Sequence, residues 1–364
     1  MKKSLLILAS LCTANAFGAV LFADDFEGRT LGVLGGQLPW DAFSDVQYVV
    51  QNSVVAGGAQ AVQVDMSAVA NGSRWGWPNL SPEYDTAASA EKLVICQVEI
   101  LHTTGSGMTF GIDCYQASPF ARVGAMRVLN TDGTIQFVTG TTATPSTTTI
   151  AADSWNRFYV IADFGHNRMV GFVNGKLVDV TAAFVGTPTK VGDMDFYTTK
   201  ATGGTGTGFF DNYSVSSAKD VCFGFNVLEG ELFDGDERSF LTSDDNGLAI
   251  FNDPSTLAAS IEFMGLTSQV APNTVTWTLE ASVARPGLQQ ELAMKNQLSG
   301  IYQVVGGSVA TTFDSVSSVT VNGGTYVGAE GQIASRVRWS PINDEDPSQD
   351  GWLHTVDQSA YTTP

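Results

Sequence analysis

Asn174-Gly175, set between two runs of alternating hydrophobic residues, restricts the possible folds of this chain more than any other feature. Upstream, Phe158, Val160, Ala162 and Phe164 alternate with Tyr159, Ile161 and Asp163, the period of two that marks a strand. Gly165-His166-Asn167-Arg168 is a polar break, and Met169 to Val173 reads as a second strand. A two-residue type I′ turn needs positive φ at both central positions, and Asn and Gly tolerate it best. Lys176 to Val180 is therefore expected to return antiparallel, completing three strands of a meander.

The same reading extends in both directions. Phe22 to Glu27 is a first strand, followed by a glycine-rich loop from Gly28 to Trp40. Gln47 to Gln51, Val62 to Met66 and Ser73 to Trp77 are short strands punctuated by Gly57-Gly58 and Asn71-Gly72. Arg122 to Leu129 and Thr134 to Thr139 form a hairpin about Asp132-Gly133, and Thr141 to Thr149 is a loop leading to a short edge strand. Asp193 to Thr198 is another strand, and a glycine run from Gly203 leads into the closing strand that ends at Val215. After residues 217–219, read as a linker, come nine more strands: Val221–Val227, Leu248–Asn252, Ala258–Met264, Thr274–Ala284, Gln289–Leu298, Tyr302–Val305, Val316–Val321, Ile333–Trp339 and Leu353–Tyr361. Strands this closely spaced, without a long helix, predict an all-β chain: one sandwich over 20–216 and a second, smaller one over 220–364.

Trp155, a hydrophobic strand ending in Asp163, a short break and then Phe172-Val173-Asn174-Gly175-Lys176-Leu177-Val178 resemble the laminin-G-like, concanavalin A-like jelly roll. Phe22-Ala23-Asp24-Asp25-Phe26-Glu27-Gly28 and Gly208-Phe209-Phe210-Asp211-Asn212-Tyr213-Ser214-Val215 are similar to the first and last strands of bacterial modules of that type. The resemblance spans 20–216 and implies a jelly-roll sandwich whose terminal strands pair. The ending Trp352-Leu353-His354-Thr355-Val356-Asp357-Gln358 resembles tails of uncharacterised secreted bacterial proteins, to which no activity attaches.

Lys2 and Lys3, the apolar run Leu5 to Leu11 and the small residues Ala14, Ala16, Gly18 and Ala19 have the layout of a secretory signal peptide over 1–18, cut after Ala16 or Gly18. The run is well short of the ~20 residues that span a bilayer. Leu11 stands where a lipidated Cys12 would need a small residue. A secreted or cell-surface location is therefore expected, with no membrane insertion of the mature protein. Without Lys2 and Lys3 the chain holds 16 basic against 37 acidic residues, a net charge of −21, which argues against nucleic acid and anionic membranes as partners.

Cys96, Cys114 and Cys222 remain after processing. If Leu93–Leu101 and Met108–Tyr115 form a hairpin centred on Gly105, Cys96 faces Cys114, Val98 faces Ile112 and Ile100 faces Phe110. Opposed strand residues are close enough for a disulfide. A Cys96–Cys114 bridge is thus expected, two reduced core thiols being the alternative.

Catalytic patterns are missing, and an enzyme is not expected. The Glu-x-Asp-x-x-Glu signature of laminarinase-like glycoside hydrolases does not occur, nor does a Gly-x-Ser-x-Gly elbow. Asp24-Asp25-x-Glu27 and Asp193-x-Asp195 fall by strand ends, where solvated carboxylates are the ordinary outcome. His102, His166 and His354 are too scattered for a metal site or triad. Ser243-Asp244-Asp245-Asn246-Gly247 reads as a plain turn, and Asp344-Glu345-Asp346 as a solvated loop.

Two ligand sites are nonetheless predicted. If the terminal strands pair, Asp24, Asp25 and Glu27 converge with Asp211 and Asn212, offering hard oxygens to a structural calcium ion; the alternative is carboxylates that cap turns or face water. Trp75 and Trp77, two apart, project from one face of a strand and suit stacking against sugar rings, with Arg74, Asn79 and Tyr84 as hydrogen-bonding neighbours. Buried tryptophans covering a sheet edge are the competing outcome. Binding of a polysaccharide or cell-surface glycan, or adhesion, is the leading expectation; a structural surface or matrix component is the alternative, and a glycoside hydrolase-like enzyme a minor one.

Overall fold

The structure, a computed structural model, describes residues 18–42, 47–80, 82–116, 118–244, 246–342 and 351–364. Residues 1–17 of the expected signal peptide and the Asp344–Asp346 loop lie outside these residues. The protein is all-β, and among the described residues the longest helices have four residues.

Two antiparallel sheets form the first sandwich. The ten-stranded sheet runs Lys176–Leu177, Arg168–Val173, Asn156–Asp163, Leu93–His102, Gly208–Ala218, Ala61–Val64, Tyr48–Gln51 and Gly32–Val33, with Val20–Asp24 and Ala182–Ala183 added alongside. The seven-stranded sheet runs Thr142–Thr149, Thr134–Thr139, Ala121–Leu129, Ser106–Gln116, Asp193–Thr205, Gly72–Pro78 and Trp40–Ala42. The central meander forms as the alternation predicts: Phe158 pairs with Val173 and Val173 with Lys176. Asn174 and Gly175 take φ of 49° and 72°, the positive values a type I′ turn demands. The terminal strands also pair, Phe22 opposite Val215 and Asp24 opposite Tyr213. Between the sheets lies an aromatic core in which Phe196 stacks on Trp40 at 4.8 Å and on Phe210 at 4.3 Å. The Thr-rich stretch is a full eight-residue edge strand and not a loop.

The expected hairpin around Gly105 does not form. Leu93–His102 belongs to the ten-stranded sheet and Ser106–Gln116 to the seven-stranded one, so the chain crosses the sandwich there. Cys96 is flanked by Val160 and Val215, and Cys114 by Gly124 and Met194. Alternation reports which face a residue occupies, not which strand lies beside it, and both thiols do face the core. Facing sheets stand about 10 Å apart, beyond the ~4.4–6.8 Å between Cα atoms that a disulfide accepts. Cys96, Cys114 and Cys222 are all free and buried. Denatured without reductant, all three should alkylate; a non-reduced digest joining the Cys96 and Cys114 peptides would overturn this placement.

The second sandwich packs two five-stranded sheets. One orders Asp220–Glu229, Ala259–Thr267, Gln332–Pro341, Leu288–Lys295 and Tyr302–Val309; the other Glu231–Asp234, Leu248–Phe251, Leu353–Thr362, Thr274–Val283 and Ser315–Asn322. Among the described residues of this sandwich, only the strand Glu231–Asp234 escaped the sequence reading. Trp277 and Trp339 fill the interior, their indole N–H groups donating to Ser359 Oγ at 3.0 Å and Gln290 Oε1 at 2.9 Å.

The expected linker is absent. The closing strand continues to Ala218 with Ser216, Ser217 and Ala218 buried, and Lys219 alone separates it from the next strand. Nor are the sandwiches independent. Leu93, Ile95, Tyr159, Ile161, Val170 and Phe172, on the outer face of the ten-stranded sheet, join Val221, Phe223, Phe240 and Phe263 in one hydrophobic core. Tyr159 stacks on Phe223 at 4.2 Å. Every residue of Asn156–Asp163 is buried, as expected of a strand covered on both faces.

Candidate functional site

With the ten-stranded sheet covered by the second sandwich, the seven-stranded sheet presents the open face of the first. Period two places Trp75 and Trp77 on that face, both half-buried, while Gly76 between them packs against Tyr48 in the core. The neighbouring strands add Asp193, Asp195 and Tyr197, then Gly111, Asp113 and Tyr115, then Arg122 and Arg127. Register sets Trp75 beside Tyr197, Tyr197 beside Gly111, and Gly111 beside Arg127.

This row forms a braced floor. Arg127 donates to Asp113 through Nε at 2.9 Å and Nη2 at 2.6 Å, and its guanidinium lies 3.5 Å from the centre of the Tyr197 ring. Gly111 permits this crossing, since a Cβ there would come within 2.2 Å of the Met126 carbonyl and 2.7 Å of Arg127 Cα. Trp75 meets Tyr197 edge-on at 5.4 Å and points Nε1 at Asp113 Oδ2, 3.4 Å away. Arg122 approaches the same oxygen at 3.4 Å.

Asp195 sits directly opposite Asp113, and like charges so placed repel. Asp113 is held by the two arginines. Asp195 resolves the conflict by keeping its proton: burial first, then Asp193 and Asp113, push its carboxyl well above the usual range. Burial also pushes Asp193 up to about 6, opposed by its hydrogen bond with Asp195 and assisted by Glu83. Oδ1 of both aspartates has no hydrogen-bond partner among the described residues. These two were expected to be solvated; instead they belong to a central strand, Asp195 only 5% exposed. The i, i+2 spacing was visible in sequence, but the strands flanking it on both sides were not.

The other predicted neighbours of the tryptophans are elsewhere. Arg74 points to the opposite face, where Nε reaches Gln47 Oε1 at 3.3 Å. Asn79 lies past the strand and donates to the Pro39 carbonyl at 3.4 Å. Tyr84 is in a separate two-stranded ribbon with Lys190–Val191, its Oη 2.7 Å from Ser89 Oγ.

The calcium donors are brought near by the pairing of the terminal strands, yet each is engaged by N–H groups. Asp24 holds Arg29 Nη2 at 2.6 Å, Trp40 Nε1 at 2.6 Å and the Phe26 amide at 2.9 Å. Asp25 accepts from the Glu27 amide at 3.2 Å, and Glu27 from the Ala59 and Gln60 amides at 2.7 and 2.9 Å. Asp211 caps the Ala56 amide at 2.8 Å, and Asn212 donates to Glu99 Oε2 at 3.2 Å. Among the described residues no three His, Cys, Asp or Glu side chains gather as a metal site. The histidines stay apart: His166 pairs with Asp163 at 2.9 Å, His354 stacks on Trp339 with its pKa lowered by burial to about 4, and His102 is buried.

No family model matches the chain, and no curated protein matches it. Among solved structures it is similar to a sialidase, at 14% identity and a TM-score of 0.40 over 56% of this chain and 19% of that one. It is also similar to the Bacillus licheniformis β-glucanase (13%, TM-score 0.35, 55% of this chain and 98% of that one) and to carbohydrate-binding module CBM66 from Bacillus subtilis (11%, 0.33, 51% and 99%). The chain thus spans about a fifth of the sialidase's length. At these identities the likeness concerns the jelly-roll fold alone.

Proposed function

We propose that this is a non-catalytic, secreted or cell-surface protein that binds a polysaccharide or glycan on the open face of its jelly roll, over Trp75 and Trp77. The observation carrying this reading is the pair of half-buried indoles on one face, with Trp75 held edge-on against Tyr197 in the braced Arg127–Asp113–Tyr197 floor. Their Cα atoms are two strand residues apart, about 7 Å, which suits successive sugar units. Sugar rings stack on such faces, and a rigid platform loses little entropy on binding. A non-catalytic role fits the carboxylates: Asp113 is neutralised by two arginines, and Asp193 and Asp195 lean on each other instead of flanking a bond.

The double substitution Trp75→Ala, Trp77→Ala should lower retention on insoluble polysaccharide about tenfold or more while leaving the melting midpoint nearly unchanged. Unchanged retention, or loss of folding, would return both rings to structural duty. It would also favour the alternative of a surface or matrix component without a soluble ligand.

A further inference from the structure

A second feature of the molecule exists only because the two sandwiches are docked. Where they meet, a cleft of about 480 Å³ opens between the strand Asn156–Asp163 on one side and the Glu231–Asp234 strand and the short helix Glu237–Phe240 on the other. That volume lies within the range of small-molecule sites, which favour domain junctions. Its walls carry Trp155 and Phe225, both half-buried, beside Glu99, Asp236, Asn212 and Arg238. A neighbouring hollow of about 470 Å³ shares Gly235, Asp236 and Arg238, so the cleft continues as a groove.

We propose that this groove is a second carbohydrate site, taking one or two units of a neutral sugar with Trp155 as its stacking surface. The inference rests on the reading of the chain as a glycan binder but uses none of the same residues. Trp155 touches Phe209 edge-on at 6.4 Å, which leaves it braced from behind. Arg157 joins the two walls by pairing with Glu99, Glu237 and Asp236, and Asp236 also holds Arg238, so the lining balances to one negative charge. Asp234 and Asp244 extend the negative character into the adjoining hollow. An anionic sugar is repelled there, and a purely apolar ligand would cut these charged groups off from water without offering them a polar contact. Hydroxyl groups satisfy both conditions, because they donate to carboxylates and accept from guanidinium and amide N–H groups. A weak site joined to the Trp75–Trp77 face on one rigid body would raise overall retention by multivalency.

Saturation-transfer NMR on the full chain with cellobiose, maltose and lactose as probes tests this. At least one should bind saturably, with a dissociation constant near ~1 mM. Trp155→Ala should weaken binding about tenfold, and Leu232→Trp, a bulky replacement at a 42% exposed position on the rim, should block it without disturbing the fold. The Trp75→Ala, Trp77→Ala double variant should retain it. No saturable binding by any of the three sugars, or binding indifferent to both groove variants, would overturn the proposal. The main reading would then stand or fall separately, on polysaccharide retention by the Trp75–Trp77 variant.

Discussion

Replacing Arg157 by methionine should destabilise the protein by about 3–5 kcal/mol, the ordinary cost of removing one partner from a buried ion pair. Arg157 rises from the jelly-roll strand and reaches Glu99 at 2.5 Å in its own sandwich, then Glu237 at 2.8 Å and Asp236 at 3.2 Å in the second. Its side chain is 9% exposed, and those of Glu99 and Glu237 are 9% and 4% exposed. Without the guanidinium, two carboxylates remain in a poorly solvated junction with nothing to balance them. Burial already pushes Glu237 above the usual carboxylate range, and Arg157 opposes that rise. The loss should therefore be larger at pH 8 than at pH 5, because protonating Glu237 relieves the variant. Urea unfolding at both pH values measures it; a loss under ~1 kcal/mol would mean the junction is solvated enough to screen the cluster.

The same cluster shows where sequence reading stopped. The meander, its type I′ turn and all nine expected strands of the second sandwich followed from local periodicity and turn chemistry, while the pairing of first and last strands was implied by the resemblance to the jelly roll. Partners across space did not. The Cys96–Cys114 reading failed because alternation is equally consistent with a hairpin and with a crossing between sheets. The linker failed because Ser216-Ser217-Ala218 has a loop's composition, while the docking of two sandwiches buries it inside a strand. A signal for that docking did exist: Tyr159 and Ile161 are as apolar as Phe158 and Val160, so both faces of that strand had to be covered. At the site, the tryptophan pair was legible because i, i+2 spacing fixes a face. Arg74 was misassigned by ignoring that same rule, and Asp193 and Asp195 by taking a strand's first residues as exposed.

That aspartate pair should give the protein a pH dependence opposite to ordinary acid denaturation. Asp193 ionises with a pKa of about 6 in the folded protein, against about 3.9 in an unfolded chain. Between those values the native state holds the extra proton, so stability falls as pH rises from about 4 to 6 and then levels off. A rise of that size corresponds to on the order of 2–3 kcal/mol. Asp193→Asn keeps an oxygen that can accept from the protonated Asp195 but carries no charge to penalise. The variant should therefore be more stable than the parent by that amount at pH 8, with the advantage shrinking to nothing near pH 4. Glu83 and Asp113 face the pair and Arg122 and Arg127 hold Asp113, so the Asp193→Asn difference, and not the parent's absolute pH profile, isolates the effect. Chemical denaturation at half-unit pH steps supplies the comparison. Parallel profiles for parent and variant from pH 4 to 8 would mean that Asp193 reaches water and titrates as an ordinary surface carboxylate.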